Sequence, residues 1–555
     1  MRVVYQIINI RVLSLVFMLG LTGCGGGSSE QSQPPVSNPP PTPVPEPKTE
    51  LTEQQASAFL NRATFGATRE EIDALSNSNV EDWLDLQYAL PPTRLLPYLI
   101  ALDVEPVRSN HRVQGWWLNA VKAPDQLRQR VAFALSEIFV VSDRNGFLNT
   151  YQALVADYYD MLALNAFGNY RDLLEQVTLH PAMGVYLSML GNEKPDLANN
   201  IRPDENYARE IMQLFSIGLV ELNIDGSEIL DSEGRGIPTY DQDIIEGFAH
   251  VFTGWTFADA QSFRRPGRNI DLLSPMEPWQ DFHDKGEKVL LNDVIVPADQ
   301  SAEEDMAMAL DNLFNHPNVG PFISFRLIQR LVTSNPSPAY IQRVAEVFND
   351  NGEGVRGDLW AVVKAIMNDD EALFGAETMP DTFGKLREPL IRMAHQFRVT
   401  GAENAEGEIP FGTADFILGQ APQRSPSVFN FFSPDYQQPG VISDAELVAP
   451  EFEITTANYL TGMNNAVLYF IYTLDRENNQ NRIFLNLDHF IALATDHSAL
   501  IEEIDLVFMA GQMSDGMHDE LVDYLDLIQD VVNAELLVKE AMYLVLTSSE
   551  YAIQK

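Results

Sequence analysis

The sequence predicts an all-α protein, mainly helical, built as one large multi-helix globular domain with one or two small hairpin or loop excursions. Apolar residues recur at helical spacing in nearly every long segment, whereas the alternating pattern of strands is rare. The 555 residues include a single cysteine, so a disulfide framework cannot form and packing must stabilise the fold. The roughly 505 residues that follow the N-terminal segments are enough for a large core.

The first 23 residues have the composition of a bacterial lipoprotein signal peptide. Arg2 and Arg11 are basic, Val12 to Leu21 is apolar, and Leu21-Thr22-Gly23-Cys24 has the pattern of a lipobox. About ten apolar residues follow Arg11, fewer than the roughly 20 that span a bilayer, which disfavours a transmembrane anchor. We therefore expect cleavage before Cys24 and attachment of acyl chains (palmitate-type lipidation) to this residue.

Residues 24–50 are expected to form a tether, and residues 51–555 the helical domain. Gly, Ser, Gln and Pro dominate between Gly25 and Glu50, and such a segment buries too little apolar surface to fold. Cys24 is not followed by Asp, which resembles lipoproteins sorted to the outer membrane of Gram-negative bacteria. The sequence thus predicts a cell-envelope protein that contacts the membrane through its N-terminal lipid.

The charge of the chain excludes one class of partner. Lys and Arg total 36 against 79 Asp and Glu, a formal net charge of -43. This field repels nucleic acid and anionic headgroups, so we expect no nucleic-acid partner. It could attract cations, although a solvated acidic surface explains it equally well.

Helical spacing of apolar residues defines the following segments in chain order: Leu51 to Thr64, Pro124 to Val141, Tyr151 to Asn165, Asp204 to Ile217, Tyr240 to Thr253, Gly320 to Val332, Pro338 to Asn349, Gly357 to Met367, Thr382 to Phe397, Thr455 to Tyr472 and Ser514 to Val532. Between the fifth and sixth, Lys288 to Val296 predicts a small hairpin around Asn292-Asp293. Gly226 to Pro238 is rich in glycine and acidic residues and predicts a loop.

The helix predicted from Asp204 to Ile217 is amphipathic. Asp204 can cap its start and Gly218 can end it. Glu205 and Arg209 are four residues apart, as a helical ion pair requires. The polar side also includes Asn206, Glu210 and Gln213.

The helix predicted from Tyr240 to Thr253 also has a polar face. Thr239 and Gln242 have the spacing of a capping box. Asp243, Glu246 and His250 follow at i, i+3 and i+7, so they share one side of the helix.

A candidate site arises if these two polar faces meet near His180. Carboxylates, an amide, an arginine and histidines together could bind a divalent cation or supply an acid and a base. The alternative is that both faces are solvated or form structural ion pairs. The candidate residues are His180, Glu205, Asn206, Arg209, Glu210, Asp243, Glu246 and His250.

Several motifs resemble a bacterial family of secreted proteins known as domain of unknown function 1800. They are Arg62-Ala63-Thr64-Phe65-Gly66, His180-Pro181-Ala182-Met183, Glu205-Asn206-Tyr207-Ala208-Arg209-Glu210 with Gly218, Phe252-Thr253-Gly254-Trp255, His283-Asp284 with Gly286-Glu287-Lys288, Leu386-Arg387-Glu388-Pro389, and Ser425-Pro426-Ser427-Val428-Phe429-Asn430-Phe431-Phe432. The resemblance covers almost the whole mature chain.

The resemblance implies a largely helical exported protein with no assigned reaction. Such proteins are often encoded beside a second secreted family that resembles sulfatases or phosphatases, which implies a partner protein in the envelope. The chain departs from the family where many members carry a Trp-His motif, because it has Phe133 to Phe139 there. Some members carry His where this chain has Phe215, and both differences count against a His-rich metal centre.

Two functions of different class follow. The first is a binding or assembly protein that acts with a secreted, sulfatase-like partner enzyme. The second is an extracytoplasmic hydrolase that uses Glu205, Glu210, Asp243 or Glu246, with or without a divalent cation. Serine-elbow, zinc-helix, phosphate-loop and dinucleotide motifs are missing from the sequence, so whether the protein is an enzyme stays open.

Overall fold

Helices dominate the computed structural model, which describes residues 51–267, 270–473 and 481–555. In these ranges the only sheets are three antiparallel pairs of two-residue strands. The predicted mainly helical fold class is therefore confirmed. The signal peptide, Cys24 and the tether lie outside the described residues.

The first part of the domain contains helices α1 (Glu53–Ala63), α2 (Arg69–Ser76), α3 (Val80–Ala89), α4 (Leu96–Ala101), α5 (Ser109–Lys122), α6 (Gln126–Ser136), α7 (Gly146–Thr150), α8 (Gln152–Asn165), α9 (Tyr170–Leu179) and α10 (Pro181–Tyr186). The middle part contains α11 (Asn206–Gln213), α12 (Gln242–Val251), α13 (Ala302–Phe314), α14 (Val319–Leu331), α15 (Pro338–Asn349), α16 (Leu359–Asn368), α17 (Asp370–Thr378) and α18 (Pro389–Val399). The last part contains α19 (Ala414–Leu418), α20 (Val441–Asp444), α21 (Ala457–Tyr472), α22 (Asp488–Leu493), α23 (His497–Met509), α24 (Asp515–Ile528), α25 (Ala534–Leu546) and α26 (Ser549–Ala552).

The strands form three short antiparallel pairs, and the β5–β6 pair joins parts of the chain that are distant in sequence. Strand β1 (Trp255–Thr256) pairs with β2 (Glu277–Pro278), β3 (Lys288–Val289) with β4 (Ile295–Val296), and β5 (Lys385–Leu386) with β6 (Ile553–Gln554). The β3–β4 pair confirms the predicted hairpin, whose turn includes Asn292 and Asp293, both with positive φ. Two short 3-10 helices, Leu291–Asp293 and Pro450–Ile454, complete the regular structure of the described ranges.

Most predicted helices are present, with two corrections. Thr382 to Glu388 is not helical, because Lys385–Leu386 pairs with the C-terminal strand and Pro389 starts α18. Helix α12 is capped by Asp241, whose side chain accepts a hydrogen bond from the Ile244 N–H. The predicted capping role of Thr239 was wrong, since its hydroxyl donates instead to the Gly218 carbonyl.

Within the described ranges, one large hydrophobic core includes buried residues from Leu51 to Tyr551. Helix α14 packs against α15 and α6, and α6 packs against α8. Trp116 and Trp117 of α5 are fully buried and contact each other edge to face. In the described ranges, every helix is too short or too polar to cross a membrane.

Candidate functional site

A cleft of about 520 Å³ opens where four parts of the fold meet. Its walls come from the end of α6, the end of α11 with the following loop, helix α14, and the loop 428–435. Glu137 and Arg330 lie in its lining, as do the partly exposed ring of Phe429 and the guanidinium of Arg326. The cleft therefore combines ionisable and aromatic groups, as ligand sites commonly do.

Glu137 is the C-cap residue of α6 and is only 5 % exposed. The Asn430 amide donates to its Oε1 over 3.0 Å. Its Oε2 lies 3.4 Å from the Arg330 Nε, an ion-pair distance without hydrogen-bond alignment. Burial and the nearby Glu388 carboxylate raise the pKa of Glu137 to about 8. The carboxyl group therefore holds its proton to higher pH than an ordinary glutamate does, as a proton donor requires.

A network of buried charged residues lies close to Glu137. Lys385 Nζ lies 2.9 Å from Glu451 Oε1 and also donates to the Gln329 and Arg330 carbonyls. Glu388 is fully buried and accepts a hydrogen bond from the Gln420 amide. Three buried carboxylates and three buried cations thus share this region, counting Arg130 and Arg330 with Lys385.

Two arginines of α14 hold cationic charge against aromatic rings in the cleft wall. The Arg326 guanidinium lies 5.1 Å from the centre of the Phe322 ring and donates to Asp435 over 3.3 Å. The Arg330 guanidinium lies 5.6 Å from the Phe432 ring. Arginines fixed in this way bind carboxylate, phosphate or sulfate groups without a large loss of side-chain entropy.

The polar faces of α11 and α12 do meet, at their N-terminal ends. Arg209 Nη2 lies 2.7 Å from Glu205 Oε2 and 2.9 Å from the Gln242 side-chain oxygen. Gln242 in turn donates to Glu205 Oε1 over 3.1 Å. The predicted Glu205–Arg209 pair is present, but it is partly exposed and fully engaged, as expected of a structural ion pair.

Glu210 differs from its neighbours because it is buried. It is 9 % exposed, its Oε2 has no hydrogen-bond partner in the described residues, and burial raises its pKa. Its charge acts on Tyr240, whose pKa is raised to about 12 mainly by burial. Asn206 lies at the helix start, where its N–H donates to Asp204 Oδ1.

The remaining candidates form separate contacts. Asp243 and Glu246 are exposed on α12. His250 contacts Asp284 through Nδ1, and this hydrogen bond lowers the pKa of Asp284 to about 2. His180 caps α10, accepting from the Ala182 N–H, and its Nε2 lies 3.3 Å from Asp157 Oδ2. The bonds and ion pairs of the eight predicted residues therefore fall into separate groups.

The motif around His283 forms a buried network that sequence reasoning did not assign. His283 Nδ1 lies 3.0 Å from the Thr253 carbonyl, and its Nε2 lies 3.0 Å from Asp305 Oδ2. The same carboxylate oxygen lies 2.5 Å from Lys288 Nζ. These groups are almost fully buried, so the network joins α13 to the β3–β4 hairpin and not to a ligand.

The predicted divalent-cation site has no support from the geometry. Within the part of the chain that the structure describes, no three His, Cys, Asp or Glu side chains lie together as a metal site requires. Glu137 was missed as a site residue because its contacts are remote in sequence: Asn430 is 293 residues away. The one available signal was a glutamate, the single charged residue in the segment Phe133 to Phe139.

Comparison with known proteins gives one finding for this chain. The family described as Protein of unknown function (DUF1800) matches residues 58–553, nearly the whole described domain. Searches among curated proteins and solved structures give no match.

Proposed function

Because the chain belongs to the DUF1800 family, whose description assigns no reaction, we propose its function from the cleft: it is a hydrolase of the cell envelope that uses Glu137 as proton donor. The carrying observation is a carboxyl group with a pKa of about 8 in the wall of a 520 Å³ cleft. Carboxyl groups shifted toward neutral pH in a concave site are typical of acid–base catalysts. This moves the proposed acid from the helices α11 and α12 to the end of α6.

The lining of the cleft suggests the class of substrate. Arg326 and Arg330 lie in the lining beside the carboxylates of Glu228 and Asp435, and we infer that the two guanidinium groups are where an anionic group of the substrate binds. Glu137 gives its proton to the leaving-group oxygen as the bond to that oxygen breaks. Water adds to the other side of the broken bond, and the proton that the water loses restores the acid form of Glu137.

The test uses Glu137→Gln, which keeps the shape of the side chain but removes its titration. We expect the full-length chain to hydrolyse at least one of an alkyl phosphate, an alkyl sulfate and an acidic polysaccharide, whose leaving-group oxygens are poor leaving groups and need a proton. The variant should lose about 100-fold or more in kcat, with a smaller change in KM. Glu346→Gln, an exposed glutamate of α15, is the matched control and should keep full activity. Equal activity of wild type and Glu137→Gln, or no turnover of any of the three, contradicts the proposal.

We also propose that the protein is anchored to the outer membrane by lipid on Cys24. The lipobox and the Pro-rich tether support this location. Labelled palmitate should enter the wild type, and Cys24→Ala should appear in the soluble fraction of the envelope. Membrane partition of the variant without label would contradict the anchor.

A role in assembly with a secreted partner is the second candidate function. Phe416 of α19 and Tyr469 of α21 are 74 % and 51 % exposed and line one cavity of about 590 Å³. Exposed apolar groups around a concave surface are typical of protein contacts. Cross-linking in cells should join a sulfatase-like partner to the wild type but not to Phe416→Ser. Leu527→Ser, an exposed residue of α24, is the control, and equal cross-linking of all three would overturn this role.

A further inference from the structure

A third cavity, of about 340 Å³, is lined in part by the short helix α26. Helix α18, the Pro450–Ile454 turn, helix α21 and the α26–β6 segment form its walls. Arg387 and Arg392 line it, and neither Asp nor Glu is present in its lining. The cavity is thus cationic inside a strongly acidic protein.

Both arginines are buried without an acidic partner. Arg387 and Arg392 are 5 % and 6 % exposed, and neither forms an ion pair with any residue that the structure describes. Arg387 Nη1 contacts His395 Nδ1 over 3.0 Å and donates to the Phe508 carbonyl over 3.1 Å, and Arg392 donates to the Leu546 carbonyl over 3.3 Å. Their guanidinium carbons lie 5.0 Å and 5.6 Å from the centre of the Tyr551 ring.

Burial of the two guanidinium groups is unfavourable. Burial lowers the pKa of both arginines, and the charge of Arg392 further lowers the pKa of Arg387. The Nε atoms of both side chains are buried without hydrogen-bond partners. A buried charge without a counter-charge destabilises a fold, so an anion bound here would offset that cost.

The rest of the wall is mostly apolar. Phe452, Ile454, Leu460, Met463 and Ile553 line it, and hydroxyl groups of Thr455, Thr547 and Ser549 lie among them. A volume of about 340 Å³ is at the lower end of the range for small-molecule sites, which is roughly 300–1,000 Å³. An inorganic anion would leave the apolar wall uncovered, whereas an uncharged hydrocarbon would leave the arginines unpaired.

We propose that this cavity binds a carboxylate that carries an apolar body, with the carboxylate on Arg387 and Arg392. A medium-chain fatty acid and the C-terminus of an apolar peptide share this chemistry. The site is separate from the Glu137 cleft and does not depend on the hydrolase proposal.

Titration calorimetry on the purified full-length chain tests the site with defined probes. Decanoate and acetyl-Leu-Phe with a free carboxylate are the two probes of interest, and decanol and acetate are their uncharged and short counterparts. We expect one equivalent of decanoate or of the peptide to bind at least about tenfold more tightly than decanol or acetate. Whichever of the two binds more tightly identifies the source of the carboxylate.

Three variants separate binding from folding. Arg392→Gln should raise the decanoate Kd about tenfold or more, and Ala552→Phe, which fills the cavity while keeping both arginines, should abolish binding. Arg356→Gln is the control, because Arg356 is also an arginine without an ion pair but donates to the Phe314 and His316 carbonyls away from this cavity. No binding by wild type, or unchanged binding by both Arg392→Gln and Ala552→Phe, overturns the proposal.

Discussion

Glu137 illustrates how a single side chain acquires its chemistry from its surroundings. Its own helix supplies only the position, at the C-cap of α6. The proton affinity comes from burial and from Glu388, while Asn430 and Arg330 fix the carboxyl group in place. Each of these partners comes from a different segment, so the environment exists only in the folded chain.

The raised pKa of Glu137 predicts a pH-dependent contribution to stability. Above pH 4.5 the unfolded chain loses the proton that the folded chain keeps up to about pH 8. The free energy of unfolding from this group is therefore fully present below pH 4.5 and is lost as the pH rises to 8. Glu137→Gln should remove this loss, which amounts to about 5 kcal/mol for a pKa raised from 4.5 to about 8.

Urea unfolding at pH 5, 6, 7 and 8 measures this difference. The difference in free energy of unfolding between wild type and Glu137→Gln should change in favour of the variant as the pH rises. Glu346→Gln changes an exposed glutamate, so the free energy of unfolding of this variant should differ from that of wild type by the same amount at every pH. A pH-independent gap for Glu137→Gln would contradict the raised pKa.

The sequence identified local features at residue level and missed remote ones. Gly218 ends its helix region with φ of +73°, and Glu205 pairs with Arg209, as the spacing predicted. The partners of His250 and Glu137 are 34 and 293 residues away, and helical periodicity carries no information about them. For the same reason Thr382 to Glu388 was wrongly predicted as helix, since its strand partner is the C-terminus.

At the scale of elements, close backbone approach fixes how α12 sits on the β3–β4 hairpin. A Cβ added to Gly247 in α12 would lie 2.1 Å from the Val289 carbonyl oxygen of β3. Alanine is ordinarily favoured over glycine inside a helix by about 1 kcal/mol. Gly247→Ala should nevertheless lower the free energy of unfolding by about 2 kcal/mol or more, because the backbone must shift.

Gly516 in α24 is the matched control for this prediction. A Cβ there meets no atom within 4 Å. Gly516→Ala should therefore raise the free energy of unfolding, by up to about 1 kcal/mol. Denaturant unfolding of both variants is the measurement, and a stabilised Gly247→Ala protein would show that α12 does not lie this close to the hairpin.

The Asp305 network is a second set of contacts to the β3–β4 hairpin, and it connects this hairpin to α13. Asp305 of α13 is fully buried and lies 2.5 Å from Lys288 of β3. Asp305→Asn leaves the Lys288 charge buried without its partner and should cost about 3 kcal/mol. Asp311→Asn, on the same helix, breaks an exposed pair with Arg171 and should cost less than about 1 kcal/mol. Similar losses for the two variants in urea unfolding would contradict the structural role of the network.

At the scale of the whole molecule, the arginines of the two proposed sites are largely buried and lie away from the acidic surface. The 36 basic residues face 79 acidic ones, yet several arginines are buried in the interior. This partition places guanidinium groups in the wall of the Glu137 cleft and a cationic site at the Arg387–Arg392 cavity, while the exposed surface keeps an excess of negative charge. Local attraction for anions is thus compatible with a long-range field that repels them.

The same excess predicts a salt-dependent stability. A net charge of -43 opposes the compact state through self-repulsion, and this repulsion is screened within about 8 Å at physiological ionic strength. The Tm at pH 7 should therefore rise by several degrees between about 10 mM and 500 mM NaCl, since the unfolded chain spreads its charges farther apart. Differential scanning calorimetry measures the shift, and a rise of similar size in choline chloride would assign it to screening and not to a bound sodium ion. A Tm that falls with salt would instead mean that the ion pairs of the interior and surface outweigh the repulsion.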